Sequence, residues 1–265
     1  MIARALTIGG SDSSGGAGIQ ADLKTFTVWR VYGMSAVTAL TAQNTCGVSA
    51  IHVLPPDFVL AQIAAVTRDI GVDAAKTGML ADAEIVCTVA AAVREQRIPL
   101  LVVDPVMVAQ SGAVLLQSAA RDALLQELIP LATLVTPNVP EAEVLTGLEI
   151  ASVEDMQRAA RHLIDRGARA CLLKGGHLGG NDAVDIFHDG RSMRRLSAPR
   201  APTTNTHGTG CQLSAAITAA LARGASLSDA IDRGKQFITL AIGHALAIGK
   251  GNGPANPLAW LDEPS

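Results

Sequence analysis

The chain has 265 residues and a formal net charge of -3, with no long run of either sign, which argues against a nucleic-acid footprint or a polybasic membrane patch. Hydrophobic residues make up 49% and aromatics only 3%, so a large aliphatic core is available but a base-stacking surface is not. Cys46, Cys87, Cys171 and Cys211 are scattered and form no C-x-x-C pair, which disfavours a zinc ribbon or a thioredoxin-type site and fits a reducing cytosol.

The N-terminus shows no long signal-peptide apolar region, and "FITLAIGHALAIG" is too short to span a bilayer. The expectation is a soluble, cytoplasmic protein. Arg4 to Ile8 reads as a first strand, Gly9 to Gly18 as a glycine-dense loop and Ile19 to Arg30 as an amphipathic helix. "MSAVTALTA" and the shorter "AIHVL" follow as strands, and Pro55-Pro56 opens a helix through Ile70. "VDAAKTG" is a strand, Ala81 to Gln96 a helix, and Leu100 to Pro105 a continuous apolar run of the kind covered on both faces. A helix near Ser118 to Leu128 precedes the strand "TLVTPN", and residues 152–166 form a helix before the strand "ACLLKGG". "AVDIFHDG" and "RSMRRLSA" read as a hairpin around Asp189-Gly190. Two final helices are predicted over residues 209–223 and 226–247. This alternation predicts an α/β fold: a three-layer, doubly wound, mostly parallel sheet with helices on both faces. With no linker or repeat in the sequence, residues 1–265 read as a single domain.

Ligands of such sheets bind beyond the carboxyl ends of the strands, and the informative residues fall there. Gly16 to Ala21 matches the loose G-x-G-x-x-G/A dinucleotide fingerprint, but no acidic residue lies between Asp22 and Asp57 to hold a ribose. A glycine loop close to a small substrate is preferred, with a plain tight turn as the other option. No Walker A sequence is present, so any use of ATP proceeds without a P-loop. Asp104 ends a strand before Pro105, either capping a turn or serving Mg²⁺. Asn138 and Glu141 are three apart at a helix start, which fits a capping box as well as metal chemistry. Lys174 leaves an apolar strand before two glycines, either snorkelling or meeting phosphate.

Gly208, Thr209 and Gly210 precede a helix with no acidic first turn, an arrangement that attracts an anion; a Thr209 cap is the plainer reading. Cys211 sits at that helix start, where the dipole is expected to lower its pKa and suit it to take a proton from a substrate hydroxyl. A nucleophilic Cys211 partnered by His207 ranks lower, because no third, orienting residue is evident. Zinc binding by this pair ranks lower still.

Together, "GGSDSSGGAGIQADLKTF", "AVTALTAQNT", "KTGML", "DPVMVAQSG", "TPNVPEAE", "LLKGGHL" and "NTHGTGC" resemble the hydroxymethylpyrimidine/phosphomethylpyrimidine kinases of the ribokinase-like superfamily. The resemblance runs in order over nearly the whole chain. It implies ATP- and Mg²⁺-dependent phosphorylation of 4-amino-5-hydroxymethyl-2-methylpyrimidine, then of its monophosphate, for thiamine biosynthesis. It implies that Gln43 pairs with the pyrimidine edge, Gly10 and Asp22 border the substrate, and Met79 and Val106 pack on the ring. Cys211 takes the place of the Asp base of most sugar kinases in the superfamily. Gly208 and Gly210, with Thr209, frame the anion hole. By the same resemblance, Asp104 and Glu141 would serve Mg²⁺, and Asn138, Lys174 and Thr206 would lie near the ATP phosphates. The resemblance also implies a homodimer acting on small molecules, with neither nucleic acid nor membrane as partner. Gln110 and Thr204 depart from the pattern, since the family often carries lysine at both; the loss removes positive charge from loops near phosphate. A pyridoxal kinase of the same superfamily is the nearest alternative. A non-catalytic pyrimidine sensor is the other, although the anion-hole glycines, Asp104 and Glu141 are all present.

Overall fold

The computed structural model describes residues 2–108, 112, 115–116 and 118–262. The strands are β1 (Arg4–Asp12), β2 (Tyr32–Asn44), β3 (Gly47–Val53), β4 (Ala74–Thr77), β5 (Leu101–Val103), β6 (Leu134–Val135), β7 (Cys171–Leu173), β8 (Asp182–His188) and β9 (Met193–Pro199). They form one 9-stranded sheet in the order β3-β2-β1-β4-β5-β6-β7-β8-β9. The run from β2 to β7 is parallel; β3, β8 and β9 are antiparallel additions at the two edges.

Side-chain alternation splits the core in two. Leu6, Ile8, Leu101, Val103 and Leu173 face one cluster, while Ala5, Val102 and Leu172 face the other. Helices α2 (Pro56–Asp69), α3 (Ala83–Glu95) and α6 (Val153–Asp165) cover the first face. Helices α1 (Gly18–Val28), α7 (Thr209–Ala222) and α8 (Leu227–Gly243) cover the second. The expected three layers and doubly wound, mostly parallel sheet are therefore found. Helices α4 (Ser118–Ala123) and α5 (Val139–Thr146) join the first face through Ala120, Ala142 and Leu145.

Four differences from the sequence expectations have local causes. β1 runs on to Asp12 instead of ending at Ile8, because Ser11 and Asp12 re-pair with Leu40 and Thr41 of β2 after a register shift. The helix expected to reach Leu128 leaves α geometry after Ala123: a π turn (Leu124–Leu128) is followed by a short 3₁₀ turn (Ile129–Leu131). Pro130 supplies no N–H and crowds the preceding turn. α8 ends at Gly243, and the segment after it turns back so that Leu246 N–H donates to the Pro254 carbonyl at 2.9 Å. A C-terminal 3₁₀ segment (Pro257–Asp262) was not foreseen; its Trp260 stacks on Trp29 with ring centroids 5.2 Å apart. The predicted hairpin forms with Asp189 and Gly190 in its turn, where Gly190 has φ 86°.

Candidate active site

The direction of winding reverses between β1 and β4, the place where doubly wound sheets open a crevice. A cavity of about 920 Å³ opens there. It gathers residues from both halves of the chain: Gly10, Gln43, Met79 and Val106 from the first, and Asn138, Glu141, Lys174 and Thr206 to Cys211 from the second. The residues singled out in the sequence are thus brought to one cavity.

Asp104 follows β5 and is buried. Its Oδ1 accepts from Lys174 Nζ at 2.9 Å and from Thr136 Oγ1 at 3.1 Å, and its Oδ2 accepts from Ser214 Oγ at 3.2 Å. Burial alone would raise the Asp104 pKa, but Lys174 and Lys76 outweigh it and hold the carboxylate below its ordinary value. Burial likewise opposes the Lys174 charge, and Asp104 and Glu141 more than compensate, raising its pKa. Lys174 is therefore aimed into the site rather than snorkelling. Asn138 and Glu141 form the expected capping box of α5: Asn138 N–H donates to Glu141 Oε2 at 2.8 Å, and Glu141 N–H to Asn138 Oδ1 at 2.9 Å. Burial pushes the Glu141 carboxyl up to about 7, with Lys174 opposing.

Mg²⁺ requires hard oxygen ligands and keeps several waters. Asp104 and Glu141 offer such oxygens on the cavity wall. No group of three or more His, Cys, Asp or Glu stands together among the described residues. The donor set fits an ion shared with waters and phosphate oxygens, not an all-protein cage. The same finding leaves the His207–Cys211 zinc alternative without further ligands.

The N-cap of α7 is Gly208, at φ 73°, and no side chain caps the helix, so Thr209 does not play that part. A Cβ on Gly208 would run into the Gly16 carbonyl, and one on Gly210 would lie 3.2 Å from Lys174 Nζ and 3.9 Å from Asp104 Oδ2. The two glycines therefore let the helix start approach the first loop and the Lys174–Asp104 pair. His207 is buried, and its Nε2 donates to Asp12 Oδ2 at 2.9 Å. Asp12 also accepts from Ser14 and from Ala17 N–H. The orienting carboxylate missing from the sequence reading thus exists, but it ties the imidazole to the first loop. Burial would raise the Asp12 pKa; bonds from His207, Ser14 and Ala17 bring it below the ordinary value.

The expected fall in the Cys211 pKa is not found. Burial pushes the thiol up to about 11, against the favourable charge of Lys76 and the Gly18 N–H; Asp22 and Asp104 add to the rise. Desolvation and two carboxylates outweigh the helix terminus.

Also on the cavity wall, Gln43 Oε1 accepts from Thr41 Oγ1 at 3.0 Å, which leaves its amide –NH₂ without a partner among the described residues. Gly10 packs against Met79, whose sulfur would lie 2.9 Å from an added Cβ. Asp22 reaches the cavity wall, but its oxygens are already engaged by Lys76 at 2.8 Å and Thr7 at 2.6 Å. Lys76 itself was overlooked in the sequence. A lysine inside the short apolar strand of "VDAAKTG" was the available signal. Of the two departures, Thr204 is exposed, and Gln110 lies outside the described residues.

A family profile for phosphomethylpyrimidine kinase matches residues 12–256. The chain is 55% identical over 258 residues to the thiamine biosynthesis bifunctional protein ThiED of Geobacter sulfurreducens, covering 97% of this chain and 53% of that longer protein. It is 48% identical to the hydroxymethylpyrimidine/phosphomethylpyrimidine kinase of Haemophilus influenzae, covering 98% of both chains. Among solved structures it is similar to an ADP complex of Bacillus subtilis pyridoxal kinase, with a TM-score of 0.92, 42% identity and 98% of each chain covered. With the profile spanning most of its length and these identities over nearly all of it, the chain belongs to the phosphomethylpyrimidine kinase family.

Proposed function

We propose that the protein transfers phosphate from ATP to the hydroxymethyl group of 4-amino-5-hydroxymethyl-2-methylpyrimidine, and then to the resulting monophosphate, to make the pyrophosphate used in thiamine biosynthesis. The observation that carries this reading is one cavity lined together by the Gln43 amide, the apolar Met79 and Val106, the Lys174–Asp104 pair and the glycine-framed helix start with Cys211. In phosphoryl transfer the protein mainly positions groups and stabilises charge. Gln43 presents its free amide to the ring edge while Met79 and Val106 pack on the ring. The Cys211 thiolate takes the hydroxyl proton and becomes S–H. The oxygen attacks the γ-phosphorus, the bond to the β-phosphate oxygen breaks, and ADP leaves. The backbone of Gly208 to Gly210 and the Lys174 ammonium meet the transferring group, with Asn138 and Thr206 beside the other phosphates. Mg²⁺ held near Asp104 and Glu141 would neutralise phosphate charge. We assign the whole chain to one kinase domain, acting in the cytoplasm as a homodimer.

Pyridoxal phosphorylation is the second reading, favoured by the 42% identity and shared fold with the Bacillus subtilis pyridoxal kinase. Incubation with Mg-ATP and, separately, the pyrimidine alcohol, its monophosphate and pyridoxal, followed by mass, decides between them. Conversion of both pyrimidines with slow pyridoxal turnover supports the proposal. Efficient pyridoxal turnover without the second pyrimidine step moves the protein to the vitamin B6 branch.

A further inference from the structure

Asp185 is a carboxylate buried in a strand where an aliphatic side chain would pack. On β8, Val184 and Ile186 face the first core cluster and Phe187 the second. Asp185 alternates with Val184 and Ile186 and so shares the face of Phe187, yet it is only 4% exposed. Both its oxygens are engaged. Oδ1 accepts the Gly175 N–H at 3.0 Å, and Oδ2 accepts from Lys235 Nζ of α8 at 2.7 Å. Lys235 also donates to the Ala183 carbonyl at 3.3 Å. A buried ion pair is a poor source of stability, because stripping water from both ions roughly cancels their attraction. The bond to Gly175 supplies another reason for it. β7 ends at Leu173, the Lys174 N–H donates to the Pro137 carbonyl at 2.8 Å, and the Gly175 N–H is the next donor along the chain. Pro137 and Asp185 therefore hold the peptide groups on either side of Lys174.

We infer that Asp185 is a positioning residue for Lys174: by holding the Gly175 N–H it aims the lysine at the ATP phosphates. Each peptide group is planar, so fixing the two that flank Lys174 fixes the direction in which its side chain leaves the backbone. From that anchor Lys174 Nζ reaches Asp104 Oδ1 at 2.9 Å on the cavity wall. The turn packs directly onto β8, since a Cβ on Gly175 would run into the Val184 carbonyl and lie 2.9 Å from Met156 Cε. Lys235 balances the charge that the strand buries. The loop beyond Gly175 is held separately by Arg200, which donates to the carbonyls of Gly176 and Gly180 at 2.8 and 2.9 Å. Loss of the Asp185 bond is thus expected to loosen the peptide after Lys174 without releasing the loop.

The inference rests on the reading of Lys174 as the cation that meets the ATP phosphates, and its test separates the two. Two double variants of the full-length protein have the same net charge. Asp185→Asn with Lys235→Met keeps a side-chain oxygen for the Gly175 N–H; Asp185→Leu with Lys235→Met replaces it by an apolar group of similar shape. Mg-ATP binding is measured by calorimetry without the pyrimidine, and KM for each substrate by the mass assay. The leucine variant is expected to bind Mg-ATP about tenfold more weakly than the asparagine variant, within the roughly 10²-fold cost of a displacement of roughly 1 Å, while KM for the pyrimidine alcohol differs by less than about twofold. Equal ATP binding by the two variants, or a parallel rise in KM for the pyrimidine, overturns the inference. If the leucine variant does not fold, Asp185→Ala with Lys235→Met replaces it under the same criteria. Lys174→Met is measured alongside. ATP binding unaffected by that change overturns the Lys174 reading and the inference with it; weakened binding there, with equal binding by the two double variants, overturns the inference alone.

Discussion

Replacing Gly208 by alanine tests the reasoning about the anion hole most directly, and Gly210→Ala is its control. Gly208 has φ 73° and faces the Gly16 carbonyl closely enough that a Cβ cannot fit. The left-handed backbone costs an alanine about 1–2 kcal/mol, and the carbonyl is backbone, which cannot swing aside. Relief comes from separating the first loop from the start of α7, and a displacement of roughly 1 Å at a positioned site costs on the order of 10²-fold in rate. Loss of one donor to the developing charge costs a comparable 10²–10³-fold, or about 2.7–4 kcal/mol. Gly210 has no left-handed φ, and its added Cβ meets the flexible tip of Lys174 at 3.2 Å. Gly210→Ala is therefore expected to lose activity with less than about 0.5–1 kcal/mol of stability, the ordinary helix preference for alanine working in its favour. Urea unfolding and steady-state kinetics with saturating pyrimidine and varied ATP measure both effects. Gly208→Ala should lose about 1–3 kcal/mol and on the order of 10²-fold in kcat. A Gly208→Ala protein with parental stability and kcat would refute the close-approach argument.

Other expectations follow from the same geometry. Cys211→Ala should lower kcat by about 10²–10⁴-fold with a smaller change in KM; because burial holds the thiol up to about 11, the wild-type rate should rise with pH through the neutral and alkaline range, and that rise should vanish in the variant. Glu141 is raised from 4.5 to about 7 by burial, so the folded state binds the extra proton between those values, and stability from this group is present below about pH 4.5 and lost as pH rises through about 7. Glu141→Gln should flatten that slope in urea melts taken from pH 5 to 8. Asp12→Ala strips His207 of its buried partner and should destabilise by about 1–3 kcal/mol, checked by thermal melts. Gln43→Leu should raise KM for the pyrimidine alcohol more than for ATP, measured by the same mass assay used for substrate choice.

The sequence by itself determined what depends on neighbours along the chain. Strand–helix alternation, the Asn138–Glu141 capping box and the Asp189-Gly190 hairpin are all local patterns, and all three form. The small polar run before α7 likewise marked a helix start, which no side chain caps and which has no acidic residue in its first turn. Tertiary structure decided the rest. Strand order places β1 between β2 and β4, and only that order puts Lys76 beside Asp22, 54 residues away, and Asp12 beside His207, 195 residues away. The Cys211 thiol shows the difference most clearly. The helix terminus that should stabilise its charge is readable in the sequence, but the loss of water and the approach of Asp22 and Asp104 that oppose it exist only once the chain has folded, because desolvation depends on everything that surrounds an atom and not on its position along the chain.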